Sequence, residues 1–198
     1  MKLGFLRLSV YGLDPGPAAA SRFDLPGLAI KRFEPADVAS YFADDRNRGR
    51  TFREFLDQGF QGVLVHDPAG WVGYGWLATP DTPGPPHLPP WLFTGKPNWL
   101  FYAHTRDGFR GKGVHKAMIG KRLEFAAEGQ TWRESVYSDT DFHNLASRRA
   151  LLSMGFQPRG AVTCLTLPLP ISGRPVLGWW DPDAPHPALA RPEQGVGL

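Results

Sequence analysis

Thr105-Arg-Asp-Gly-Phe-Arg110-Gly-Lys-Gly113-Val-His-Lys-Ala-Met118 is the stretch that decides how this chain is read. A strand-like run, Trp99-Leu-Phe-Tyr-Ala-His-Thr105, leads into it, and a helix-like run from Gly113 to Ala127 leads out. Strand, basic glycine loop and helix start together aim backbone N–H groups at an anion. The first amides of a helix lack internal partners, and the helix dipole adds partial positive charge there. Gly111 and Gly113 let the backbone curl without a Cβ in the way, and Arg110 and Lys112 add formal charge. The pattern predicts a pyrophosphate cradle.

Two other phosphate loops are excluded. A Walker A loop requires Ser or Thr after its lysine, and here Gly113 follows Lys112. The nearest approach to a dinucleotide fingerprint, Gly73-Tyr-Gly75-Trp-Leu-Ala78, runs into Pro80 instead of opening a helix.

The segment Arg110-Gly-Lys-Gly113-Val-His115 resembles motif A of the GNAT acyltransferases, roughly [RQ]-x-x-G-x-[GA], with His115 in place of the final small residue. A second stretch, Asn144-Leu-Ala-Ser147 followed by a helical run to Met154-Gly155-Phe156, resembles the family's N-x-x-[AS] … G-F segment. The resemblance spans Leu28 to Leu167 and is specific over 100–160. It implies a mixed α/β fold, with a mostly antiparallel central sheet flanked by helices.

Composition agrees with a packed domain. Of 198 residues, 42% are hydrophobic and 13% aromatic, enough for a core, so global disorder is excluded. The net charge of +3 comes from scattered arginines, not from the clustered basic face that nucleic acid selects. Arg46, Arg48, Arg50 and Arg53 alternate with acidic residues and read as a solvated helix face. The single cysteine, Cys164, excludes an internal disulfide and a cysteine-rich zinc site, and it reads as buried packing. No stretch reaches the ~20 apolar residues of a membrane span. Arg7 and Asp14-Pro15 argue against a signal peptide, so a cytoplasmic protein is expected, with no membrane, nucleic acid or metal partner.

Along the chain, 1–26 reads as an N-terminal strand and linker. Residues 27–170 read as the GNAT domain and 171–198 as a Pro-rich tail. Leu28 to Phe33 alternates as a strand, and two helices follow through Gly59. Asp67-Pro-Ala-Gly70 joins two strands as a hairpin. Seven prolines in 79–97 mark a long loop, with Trp91, Leu92 and Phe93 either packed on the sheet edge or forming a lid. Glu134 to Ser138 reads as a short strand, Asn144 to Met154 as a helix stopped by Gly155, and Gly160 to Leu169 as a last strand.

The resemblance implies acetyl-CoA, or another acyl-CoA, as co-substrate. Its pyrophosphate would rest on Gly111, Lys112, Gly113, Val114 and His115, beside Arg110. Ala103 and Thr105 would face pantetheine and thioester, and Asn144 and Ser147 would contact the cofactor. Asn144 is equally a strong N-cap on propensity alone. Preorganised N–H groups would stabilise charge on the thioester oxygen in the transition state.

The strand before the loop carries no carboxylate. His104 is its only group titrating near neutrality, and reads either as general base or as packing. Asp139, Asp141 and His143 are alternatives. Leu151 stands where the family often has a tyrosine acid, which leaves Tyr137 as the nearest phenol. The activity implied is an N-acetyltransferase acting on a small-molecule amine or amino acid by direct attack in a ternary complex. The alternative is a GNAT-fold sensor or scaffold that binds acyl-CoA without turnover. Monomer and homodimer are both open.

Overall fold

The computed structural model describes residues 4–15, 23–129, 135–166, 176–187 and 189. Eight strands form one sheet in the order β2-β3-β4-β5-β6-β1-β7-β8. They are β1 (Gly4–Leu13), β2 (Ala29–Arg32), β3 (Gln61–Asp67), β4 (Gly70–Ala78), β5 (Asn98–Thr105), β6 (Val136–Asp141), β7 (Gln157–Thr166) and β8 (Val176–Asp181). All neighbours run antiparallel except β5 and β6.

Helices α1 (Pro35–Tyr41) and α2 (Arg46–Asp57) share one core with Phe33, Trp76, Trp99 and Phe101. Helices α3 (Val114–Glu128) and α4 (Leu145–Ser153) share a second core with Val63, Val72, Leu100 and Val136. The sheet is thus buried on both faces, as side-chain alternation along its strands requires.

The hairpin at 67–70 forms as expected, with Asp67 opposite Gly70. Three features differ from the sequence expectations. The N-terminal strand lies inside the sheet, paired with β6 on one side and β7 on the other. Strand β6 runs on to Asp141, because Leu8 to Leu13 of β1 supply it with partners. The supposed tail contains β8, which pairs with β7 from Ala161 to Thr166. The surrounding prolines hide its alternation, which turns Trp180 inward to donate its indole N–H to the Arg159 carbonyl (2.6 Å). Of the expected last strand, 167–169 lie outside the described residues, as do 171–175, 188 and 190–198 of the tail.

The Pro-rich segment 79–97 packs on the sheet. Leu88 and Leu92 are buried, Phe93 meets Trp99 at 5.5 Å, and the Trp91 indole N–H reaches the Gly178 carbonyl of β8. Cys164 is buried as expected. Among the described residues no helix is long and apolar enough to cross a membrane.

Arg148 ties α4 to the rest of the sheet. It is 2% exposed and donates to the Tyr11 hydroxyl (3.0 Å), the Phe142 carbonyl (3.1 Å) and the Pro187 carbonyl. Replacing it by Met leaves one buried and two half-buried acceptors without that donor, which costs about 3 kcal/mol. A thermal melt of Arg148→Met should show Tm lowered by roughly 6–12 °C for a chain of this size. An unchanged Tm would mean that these bonds add nothing net.

Candidate functional site: a cleft where two parallel strands part

Strands β5 and β6 pair only over Asn98–Leu100 and Val136–Ser138. The last stitch is the Ser138 hydroxyl on the Leu100 carbonyl (3.1 Å). Beyond it, β6 follows β1 and β5 follows β4, and the two diverge.

A bulge on β5 sits just past the fork. Tyr74 pairs with His104 and Trp76 with Phe101, so Tyr102 and Ala103 together face Gly75. Tyr102 takes φ 46°, a left-handed conformation uncommon for a bulky residue and costing on the order of 1–3 kcal/mol. The bulge is held from below by Arg122 of α3, which donates to the Trp76 carbonyl (3.1 Å). A Cβ at Gly75 would lie 3.0 Å from the Arg122 Cζ, so the second glycine of Gly73-Tyr-Gly75 admits a guanidinium and not a nucleotide.

The fork opens a cleft of ≈ 810 Å³ walled by the end of β5, the start of α3, β6 and α4. It brings together Ala103, His104, Thr105, Arg110, Gly111, Gly113, Val114, His115, Asp139, Asn144 and Ser147. Four expected residues, Lys112, Tyr137, Asp141 and His143, do not line it. The Lys112 amine lies over the Phe109 ring (5.2 Å), and Tyr137 stacks on Trp99 and meets Trp180 edge-on, on the α1/α2 side.

At the cradle, Gly111 and Gly113 have φ of 77° and 81°. A Cβ built on either would meet no protein atom within 4 Å, so both backbones border open space. Gly113 is the N-cap of α3 and offers no side-chain cap, which leaves the first amides of a 15-residue helix facing the cleft mouth. Arg110 turns outward, 2.8 Å from Asp107. The Thr105 hydroxyl is buried without a hydrogen-bond partner. Open space beside two positive-φ glycines, uncapped amides and an orphaned hydroxyl fit an elongated ligand ending in a phosphate anion. Asn144 acts as an N-cap, accepting from the Ser147 N–H (3.1 Å) at the start of α4.

On the α1/α2 side of the fork, Tyr102, Tyr74 and His104 form a stacked row, with Trp71 at its end. Arg48 of α2 donates to the Tyr74 hydroxyl (3.2 Å) and pairs with Asp45. Burial first, then the charges of Arg48 and Arg110, lower the pKa of His104, so its imidazole is neutral at neutral pH.

Asp139 is 8% exposed and fully engaged. One oxygen accepts from the Trp99 indole N–H (2.6 Å), and the other lies 3.0 Å from Nε2 of His87. Asp141 accepts from the backbone N–H of His143 in an exposed turn. No motif points to His87, since it comes from the Pro-rich segment. Its one sequence signal is an ionisable residue held between two proline pairs. Among the described residues no group of three or more His, Cys, Asp or Glu side chains could hold a metal ion.

No protein-family model matches the sequence, and no curated protein matches it. Solved structures do resemble the chain. A tandem GNAT protein from the clavulanic acid biosynthesis pathway is similar at TM-score 0.55 and 14% identity, over 78% of this chain and 50% of that one. A GCN5-related N-acetyltransferase-like protein from Streptococcus suis is similar at TM-score 0.56 and 14% identity, over 82% and 61%. The aminoglycoside N-acetyltransferase AAC(6')-Iy, in complex with CoA, is similar at TM-score 0.50 and 16% identity, over 65% and 91%. The chain has the GNAT fold. It spans about half the length of the tandem protein and about six-tenths of the streptococcal one.

His115, where the family pattern has a small residue, lines the cleft without closing it. The residue is half-buried, and burial and then the Arg122 charge pull its pKa down to about 4. In the unfolded chain it takes up a proton near pH 6.5 and in the native chain near 4. Between those values the unfolded state binds more protons, so stability falls as pH drops, by up to about 3 kcal/mol from this group. Denaturant midpoints of His115→Gln should fall less steeply than the parent's between pH 6.5 and 4. Parallel slopes would refute the buried neutral imidazole.

Proposed function

We propose that this protein is an acyl-CoA-dependent N-acetyltransferase that acetylates the amine of a small molecule or amino acid by direct attack in a ternary complex. The observation that carries the reading is the cleft itself. It opens where β5 and β6 part and leads from the uncapped start of α3, at Gly111 and Gly113, to the aromatic row beside Tyr102.

In this reading the amides of Gly111 to His115 receive the pyrophosphate, and Arg110 swings from Asp107 to meet it. Lys112 adds charge at the rim. Backbone groups at Ala103 and the Thr105 hydroxyl hold the pantetheine arm, and Asn144 and Ser147 line its α4 side. The bound acyl-CoA supplies an activated acyl carbonyl. What the chain contributes is orientation, by placing the acceptor on the Tyr74, Tyr102 and His104 face and the thioester at the fork. Tyr137, away from the cleft, is left with a packing role. The departing thiol takes its proton from water, since Leu151 brings no phenol to α4.

The second reading is a GNAT-fold module that binds acyl-CoA without turnover. It is favoured by Leu151 and by the absence of a carboxylate along β5. A thermal-shift titration with acetyl-CoA, free CoA and longer acyl-CoAs separates binding from chemistry, because ligand bound only by the native state raises Tm. The parent should shift saturably, and Arg110→Ala combined with Gly113→Val should lose the shift while still melting cooperatively. Equal shifts in parent and variant would remove the cradle assignment. Thiol release across an amine panel would then decide between enzyme and sensor.

A further inference from the structure

The segment between β4 and β5 is built to hold one ring. Pro85 and Pro86 precede His87, and Pro89 and Pro90 follow Leu88, which fixes φ on both sides. Leu88 donates its N–H to the Pro85 carbonyl (3.1 Å), closing a turn around His87, and its side chain is only 2% exposed. A histidine presented this way loses little conformational entropy when it works, because most of that cost was met in folding.

The ring is presented at the fork. Asp139 is the first residue of β6 beyond the last rung with β5, and Phe101 is its counterpart on β5. Nε2 of His87 lies 3.0 Å from Asp139 Oδ2, and the ring is stacked toward Phe101 with centroids 6.4 Å apart. The Trp99 indole N–H fixes the other oxygen, so the carboxylate cannot swing away. An Nε2–H given to this carboxylate leaves the lone pair on Nδ1. About a third of the side chain, 32%, is open to solvent. By contrast, His104 lies farther along β5, beyond the bulge, with its face against Tyr74.

The geometry points to His87, oriented by Asp139, as the group that takes a proton from the acceptor amine. This rests on the acetyltransferase reading above. The acceptor arrives as an ammonium and gives one proton to Nδ1 of His87. Its free amine attacks the thioester carbonyl carbon, the N–C bond forms and the C–S bond breaks. The second proton leaves the nitrogen and reaches the departing sulfur through water. The products are the amide, the CoA thiol and protonated His87, which then loses its proton to solvent.

The groups around His87 set its titration. From β6, Asp139 faces Nε2. Behind Asp139, from β7, Cys164 is uncharged, its thiol pushed up to about 11 by burial and then by Asp139. From β5 come Trp99 and Phe101, and behind Phe101 lie Phe55 and Phe60, none of them ionisable. Asp81 and Lys96 stand toward the two ends of the segment itself. Burial works against the cation, but the charge and hydrogen bond of Asp139 outweigh it and raise the pKa above the ordinary histidine value. Activity therefore rises with pH along an acid limb centred above about 6.5.

The test follows thiol release from acetyl-CoA with tryptamine, L-phenylalanine, neamine and water as acceptors, alongside acetyl-CoA binding, from pH 5.5 to 9. His87→Gln should bind acetyl-CoA like the parent, lose about 10²-fold or more in kcat, and lose the acid limb. Asp139→Asn should move that limb to lower pH, a change that a purely structural clamp would not produce. His87→Gly should regain rate when imidazole is added. Parent-like kcat and acid limb in His87→Gln would overturn the proposal. So would a parent that binds acetyl-CoA yet releases thiol with none of these acceptors, which leaves the binding module standing. Failure of the parent to bind acetyl-CoA at all would instead strike the acetyltransferase reading itself.

Discussion

Everything at the candidate site depends on two strands that stop pairing. A parallel ladder continued past Leu100 and Ser138 would satisfy the β5 and β6 backbones with each other and leave no opening in the sheet. The bulge at Tyr102 and Ala103 prevents this by adding a residue to β5, so that the strand twists away with β4. The left-handed Tyr102 is the local cost, and it persists because its surroundings over-determine it. Its ring is held against Phe55 and Tyr74, while Arg122 anchors the opposing β4 backbone from the far face. The positions of α3, Gly75 and the aromatic row on the α1/α2 side all follow from that parting.

The two faces of the fork differ in electrostatic character. On the α3 side, Arg122 is buried and its pKa falls to about 9, yet it stays charged at neutral pH while bonding carbonyls of Met118 and Trp76. Burial, and then the Arg122 charge, keep His115 neutral. On the α1/α2 side, a nearly buried carboxylate, Asp139, raises His87 while Arg48 and Arg110 help to lower His104. Two histidines on one face are thus pushed in opposite directions, the kind of separation that assigns different tasks to chemically identical groups.

What the sequence revealed was local. Strand, glycine loop and helix start at 99–127 could be read because backbone conformation there is dictated by neighbours in the chain, and Gly111 and Gly113 do adopt positive φ. Asn144 as an N-cap and the 67–70 hairpin were legible for the same reason. What escaped was set by distant partners. The position of β1 between β6 and β7 depends on pairings across more than a hundred residues, and β8 is a strand only because β7 presents an edge. His87 escaped because no motif includes it, and its partner lies 52 residues away. Strict alternation along β5 puts Tyr102 and His104 on one face, where both meet Tyr74. It could not show that Phe101 and Tyr102 both meet Phe55, since a bulge is a backbone event without a clear residue signature.

The placement of β1 has a kinetic side. Residues 4–13 leave the ribosome well before both strands that flank them, which belong to 136–166. Until those are made, the apolar face of β1 has nowhere to go, and the sheet cannot close between β6 and β7. Such long-range pairing raises contact order and slows folding, with unpaired edges exposed in the interval. The half of the sheet from β2 to β5 has its partners close in sequence and can assemble early, whereas the β6 wall of the cleft must wait for the two ends of the fold to meet. The cleft would then be among the last parts of the molecule to take shape.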